Sequence, residues 1–120
     1  GNGSVEATLC KRIATEVNAL DLSNRIKLND WFFVIQKASL VIGVDSAAGH
    51  IASALQKPFI GIYSGMGEVS RWTPAGKSIS ILTHPMPCSP CHTRPCKDRP
   101  CLLKIEPIDV LAATKQLLAK

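Results

Sequence analysis

The stretch GVDSAAGH, Gly43 to His50, follows the apolar run SLVI and leads into IASALQKP. It sets an acid, a hydroxyl and an imidazole (Asp45, Ser46, His50) around the small residues Ala47, Ala48 and Gly49. A helix that starts near Ala47 exposes the unpaired N–H groups of its first turn, and small side chains let an anion approach that backbone closely. Ser46 adds a hydroxyl donor, and His50 adds a ring N–H if it points out of the first turn. The chemistry on offer is backbone capture of a phosphate or diphosphate. The same residues suit an ordinary helix start, with Asp45 or Ser46 as N-cap, Gly49 for close packing and His50 bonded to a neighbour. Both uses stay open. A catalytic His50 would need an oriented carboxylate and an exposed nucleophile, and neither can be identified.

A second loop, YSGMGEVSRWTPAG, carries Arg71 and Trp72. Its glycines fit neither the dinucleotide fingerprint nor the phosphate loop that ends in Gly-Lys-Ser or Gly-Lys-Thr. Arg71 is a candidate phosphate contact, while Trp72 is expected to pack under the loop. Further on, Cys88, Cys91, Cys96 and Cys101 form C-x2-C-x4-C-x4-C, flanked by His84 and His92, with Cys10 far off. The first pair has metal-ligand spacing, and four thiolates would close a tetrahedral structural zinc site. No second C-x2-C occurs, and two disulfides are the rival in an oxidising compartment. Free thiols are the third reading. A long segment without periodic structure needs something to hold it, so a staple of either kind is preferred to free thiols and to a catalytic cysteine.

The elements that must position these residues follow from periodicity. Val5, Leu9, Ile13, Val17 and Leu20 predict an amphipathic helix over residues 4–19. Asn24 to Leu28 is expected to be a short strand, and Trp31, Val34, Ile35 and Ala38 mark the face of a helix from Leu28 to Ala38. Leu40 to Val44 has no alternation, as expected of a strand covered on both faces. A helix from Ala47 to Leu55 stops at Gln56, Lys57 and Pro58, and Phe59 to Tyr63 is the next strand. Strand, helix and strand in this order make a parallel unit. Ser64 to Lys77 reads as a loop, Ser78 to Leu82 as a third strand, and His84 to Lys104 as aperiodic. Glu106 to Leu118 closes the chain as a helix with Pro107 at its first position and Ile108, Leu111, Ala112 and Leu118 for packing.

With 120 residues, the chain has room for one modest core. Apolar residues at 46% and charged residues at 19% exclude a disordered chain. No apolar run approaches the roughly 20 residues of a membrane span, and the opening GNGSVEATLC lacks the pattern of a secretion signal. The net charge of +5 is spread evenly except where Arg94, Lys97, Arg99 and Lys104 face only Asp98. That surplus suits an anionic partner and equally a solvated surface.

Taken in order, ASLVIGVDSAAGHIASALQKPFIGIYSGMGEVSRWTPAG followed by PCSPCHTRPCKDRPCLLKIEPIDVLAAT resembles the carboxyl-terminal domain of the bacterial lipopolysaccharide heptosyltransferases, the ADP-heptose-dependent glycosyltransferases. In that family a strand ends in Asp-Thr or Asp-Ser, passes through small residues to a His, and continues to a strand preceded by Lys-Pro; Asp45, Ser46, His50, Lys57 and Pro58 match. The resemblance implies an α/β fold with a Rossmann-like open parallel sheet flanked by helices, the incomplete carboxyl-terminal half of a two-domain glycosyltransferase. Residues 1–120 would be a partial donor-binding domain, with 84–104 its Cys/Pro-rich loop and 105–119 its terminal helix. Donor-binding residues would be Asp45, Ser46, Ala47, Ala48, Gly49 and His50, with Arg71 and with Glu6 toward the ribose. Catalysis would require no cofactor or divalent metal. Partners would be ADP-heptose or a similar nucleotide sugar and, through the facing domain, a lipopolysaccharide core acceptor, with no nucleic acid. The place would be cytoplasmic, peripheral at the inner face of the bacterial inner membrane.

Two departures bear on these expectations. Family members often carry Gly-Pro-Met or Gly-Leu-Ser before the His, whereas this loop reads Ala47-Ala48-Gly49. The first strand of the domain, its basic phosphate-binding residue, and the amino-terminal half with the acceptor site and general base are expected to precede Gly1, so the chain alone is expected to be inactive. An exposed sheet edge would then invite a homodimer. The alternative reading is a noncatalytic nucleotide-binding module, or a metal-stapled module that binds nucleic acid.

Overall fold

The computed structural model describes residues 3–66, 68–91, 96 and 98–119. His92, Arg94 and Lys97 lie outside the described residues. The chain divides into two compact units, Gly1–Phe33 and Val34–Lys120.

In the first unit, helix α1 spans Ser4–Val17. It starts on Gly3 at φ 125, a conformation open to glycine alone in practice, and ends on Asn18, left-handed at φ 52. That left-handed residue is why the helix stops before residue 19. No residue of α1 is buried, so the expected apolar face is formed but uncovered. The expected strand from Asn24 to Leu28 does not form. Asp21 accepts hydrogen bonds from the Ser23 N–H (2.9 Å) and hydroxyl (2.6 Å). Arg25 N–H donates to the Leu22 carbonyl at 3.2 Å, and Asn24 is left-handed at φ 55. These local side-chain bonds favour a turn over an extended chain. The two Ser23 bonds, the hydroxyl first, also hold the Asp21 carboxyl below its ordinary range. Leu28 instead opens helix α2, Leu28–Lys37, inside which the division between the units falls.

The second unit is built on three parallel strands in the order β1 (Val41–Val44), β2 (Phe59–Ile62) and β3 (Ile79–Leu82). Val41 pairs with Phe59 and Phe59 with Ile79. Helix α3, Ala47–Ala54, joins β1 to β2 and packs on both. Its end is a left-handed Gln56 at φ 54, with Gln56 N–H donating to the Ser53 carbonyl (2.9 Å) and Lys57 N–H to the Ala52 carbonyl (2.8 Å). Pro58 then forbids any continuation. α3 covers the sheet face that carries Phe59, where a Cβ on Gly49 would stand 2.8 Å from the ring and 2.9 Å from Pro74 Cγ. On the opposite face Ile60 clusters with Ala113 and Leu117 of helix α6, Pro107–Leu118, against Leu40 and Leu82. Helices on both faces of a parallel sheet make this an α/β fold with a Rossmann-like open sheet.

Three expectations change. β1 is not covered on both faces: Ile42 and Val44 are 49% and 60% exposed, because α6 packs mainly on β2 and β3. The loop after β2 contains a short helix α4, Val69–Trp72, and the aperiodic segment a short helix α5, Pro100–Leu103. In α6 the packing face is Ala113 and Leu117 with half-buried Val110 and Thr114, while Ile108, Leu111, Ala112 and Leu118 face out. Apolar residues surround this helix, so periodicity alone does not choose the row that meets Ile60. The start is as expected, with Pro107 in the first turn and Glu106 N–H donating to the Asp109 carboxylate at 2.8 Å.

The α6 register gives a direct test by chemical denaturation. Leu117→Ala is expected to cost about 2–3 kcal/mol and Leu118→Ala less than about 0.5 kcal/mol. Equal losses would refute this packing.

Candidate functional site

The carboxyl ends of β1 and β2 are where an open parallel sheet offers a crevice to ligands. β1 ends at Val44, and Asp45 and Ser46 turn the chain into α3, both exposed to solvent. Ser46 is extended (φ −162, ψ 173) in the N-cap position, yet among the described residues no side chain caps this end of α3. The first-turn N–H groups of Ala47 and Ala48 therefore stay available, and the helix adds its partial positive charge there. Gly49 N–H donates to the Ser46 carbonyl at 3.3 Å, and its bare Cα lies on Phe59 and Pro74, which fixes the helix start. Ala48 is half-buried, and His50 is exposed one residue further along.

Tyr63, immediately after β2, ties the neighbouring loop to this end. Its side chain is buried, and its hydroxyl donates to the Trp72 carbonyl at 3.2 Å, anchoring the end of α4. Burial first, and the negative charge of Asp45 second, push the phenol above its ordinary value. Asp45 is thus close enough to be felt at the end of β2. Arg71 is on α4, exposed, with its Nε 2.6 Å from Glu68 Oε2. An exposed pair of this kind is worth about 0–1 kcal/mol, so an anion can draw Arg71 away at little cost. Trp72 is 57% exposed and does not pack under its loop as expected, whereas Pro74, two residues on, is buried.

The cysteine segment is held by a residue its spacing does not mention. Gly65 N–H donates to Cys101 Sγ at 3.3 Å, and Cys91 N–H donates to the Gly65 carbonyl at 2.8 Å. Ser89 Oγ occupies the space that a side chain on Gly65 would need. Residues on both sides of the tract 92–97 therefore grip the loop that leaves β2. Cys88 and Cys96 are exposed, and among the described residues no three His, Cys, Asp or Glu side chains gather as metal ligands.

Glu6 is exposed in the first turn of α1, in the first unit. Asp45, Ser46, Ala47, Ala48, Gly49 and His50 come together at the start of α3. Arg71 reaches the same end of the sheet through the Tyr63 tether. Sequence reasoning missed Tyr63, Glu68 and Gly65. For Glu68 a signal existed, since Glu and Arg three apart pair on one helical turn; the other two act through partners distant in sequence.

A model of the family described as glycosyltransferase family 9 (heptosyltransferase) matches residues 1–102. No curated protein and no solved structure matches the chain.

Tyr63 is the chain's single tyrosine, so ultraviolet titration reports it alone. The folded protein holds this proton more tightly than the unfolded chain does. Its contribution to stability is therefore complete below about pH 10 and is lost as pH rises through the raised value. Ionisation at or below about pH 10 would contradict this. Tyr63→Phe is expected to cost about 1 kcal/mol at neutral pH.

Proposed function

We propose, because the chain belongs to glycosyltransferase family 9 (heptosyltransferase), that it binds the donor in the transfer of heptose from ADP-heptose to a lipopolysaccharide core acceptor. The observation that carries this reading is the uncapped start of α3 beside Asp45 and Ser46, at the carboxyl end of a parallel sheet. N–H groups of Ala47 and Ala48 and the Ser46 hydroxyl take the diphosphate. Arg71 exchanges Glu68 for a phosphate oxygen. Asp45 and His50 face the sugar or diphosphate.

In the transfer, the acceptor oxygen attacks the anomeric carbon and the bond from that carbon to the β-phosphate oxygen breaks. ADP leaves with the electron pair, and the acceptor's proton goes to a base on a facing domain. Negative charge grows on the departing phosphate, where the α3 N–H groups and Arg71 take the place of a divalent metal. Removing one such donor typically slows the step by about a hundredfold to a thousandfold. No helix among the described residues is long and apolar enough to cross a membrane. The basic surplus of +5 suits work at an anionic membrane surface.

Calorimetric titration with ADP, ADP-heptose and single-stranded RNA tests the reading. The sugar nucleotide should bind, and Arg71→Ala should weaken ADP by about tenfold. RNA binding with a steep salt slope and no response to ADP would replace it with a nucleic-acid module.

A further inference from the structure

Among the described residues β3 is an edge strand, paired with β2 on one side alone. The Ser78 and Leu82 carbonyls accept the Phe59 and Tyr63 N–H groups, both at 2.9 Å. Backbone groups alternate sides along a strand, so those of Ile79 and Ile81 point away from β2. Natural edges are blunted by charge, proline or a bulge, yet Ser78 to Leu82 carries no charged residue and no proline. A cavity of about 480 Å³ runs beside this edge, walled by Ser80 and Leu82 of the strand and by Asp109, Ala112 and Gln116 of α6. The geometry points to a second copy of this chain as its occupant: two β3 strands pair antiparallel about a two-fold axis at Ile81 and join both sheets into one.

A two-fold interface must match itself, and this edge does. The axis sets Ile81 opposite its own copy, where the two residues exchange both backbone bonds. On the sheet face that carries Phe59, half-buried Ile79 and Ile81 continue as an apolar row across the join. On the other face α6 rests on β2 and β3 alike, so its axis stands about half a strand spacing inside β3. Two copies of α6 then lie about 10 Å apart, which is a helix-packing distance. Ile108, Ala112 and Gln116 stand at i, i+4 and i+8 on the side of α6 that meets the partner. Ile108 is 62% exposed in the single chain, and Ala112 is small enough for close approach. Charge agrees as well. The helices run antiparallel, so the first turn with Asp109 lies level with the last turn that carries Lys115 of the partner subunit. Opposite charges and opposite dipole ends meet there.

Sedimentation equilibrium of the full chain over a concentration series tests the interface. The wild type should approach twice the mass of one chain. Ala112→Glu sets two carboxylates face to face at the axis and should weaken the dimer by about tenfold or more, and Ala112→Lys should do the same with two ammonium groups. Position 112 is exposed on its helix, so both variants keep the fold. Mixed together, the two variants should regain the dimer, because each then faces its opposite charge. A wild type that stays monomeric throughout overturns the interface. So does a dimer that both variants leave intact, or a mixture that fails to recover.

Discussion

The ring of Phe59 fills a space that three backbone segments leave for it. Side chains at Gly43, Gly49 or Gly61 would meet that ring at 3.4, 2.8 and 2.9 Å. β1, α3 and β2 therefore close on one aromatic plate, and Phe59 itself is wholly buried. Interiors packed to this density transmit small shifts, so the plate sets both the height of α3 above the sheet and the direction in which its first turn points. The uncapped N–H groups of Ala47 and Ala48 stand where they do because Gly49 has no side chain to push the helix away. A binding loop of small residues and a tightly packed core are thus one arrangement seen from two sides.

The rest of the carboxyl edge is attached to the same frame by polar tethers. Tyr63 is buried beside the plate and reaches the Trp72 carbonyl, so the α4 turn is held by a rigid side chain. The charged groups at that edge, Asp45, Glu68 and Arg71, remain in solvent, where screening limits their reach to about 8–10 Å. The lasting selectivity of such a site comes from fixed backbone donors and cavity shape. The charges tune it.

How much of this was legible in the sequence depends on the range of the interactions. The end of α3 was readable because Gln56, Lys57 and Pro58 form a local stop that acts within the helix's own last turn. The strand before Asp45 was readable as an apolar run, although its edge position, which leaves Ile42 and Val44 exposed rather than covered on both faces, was not. Asn24 to Leu28 was misread because Ile26 and Leu28 alternate like a strand, while Asp21 and Ser23 had already committed the chain to a turn. The α6 face was lost to ambiguity, since its apolar residues lie on every side and only Ile60 decides among them. Cysteine spacing suggested a staple but said nothing of the backbone of Gly65, which also holds the segment and which no spacing rule can name.

That hold also joins distant parts of the chain. The bond from Gly65 to Cys101 spans 36 residues, and each doubling of a loop costs only about 0.6 kcal/mol of closure entropy. Gly65 takes part through its N–H and its carbonyl together, so one backbone position beside the sheet serves Cys101 and Cys91 at once. A side chain there would meet Ser89, so this clasp closes only around a bare Cα.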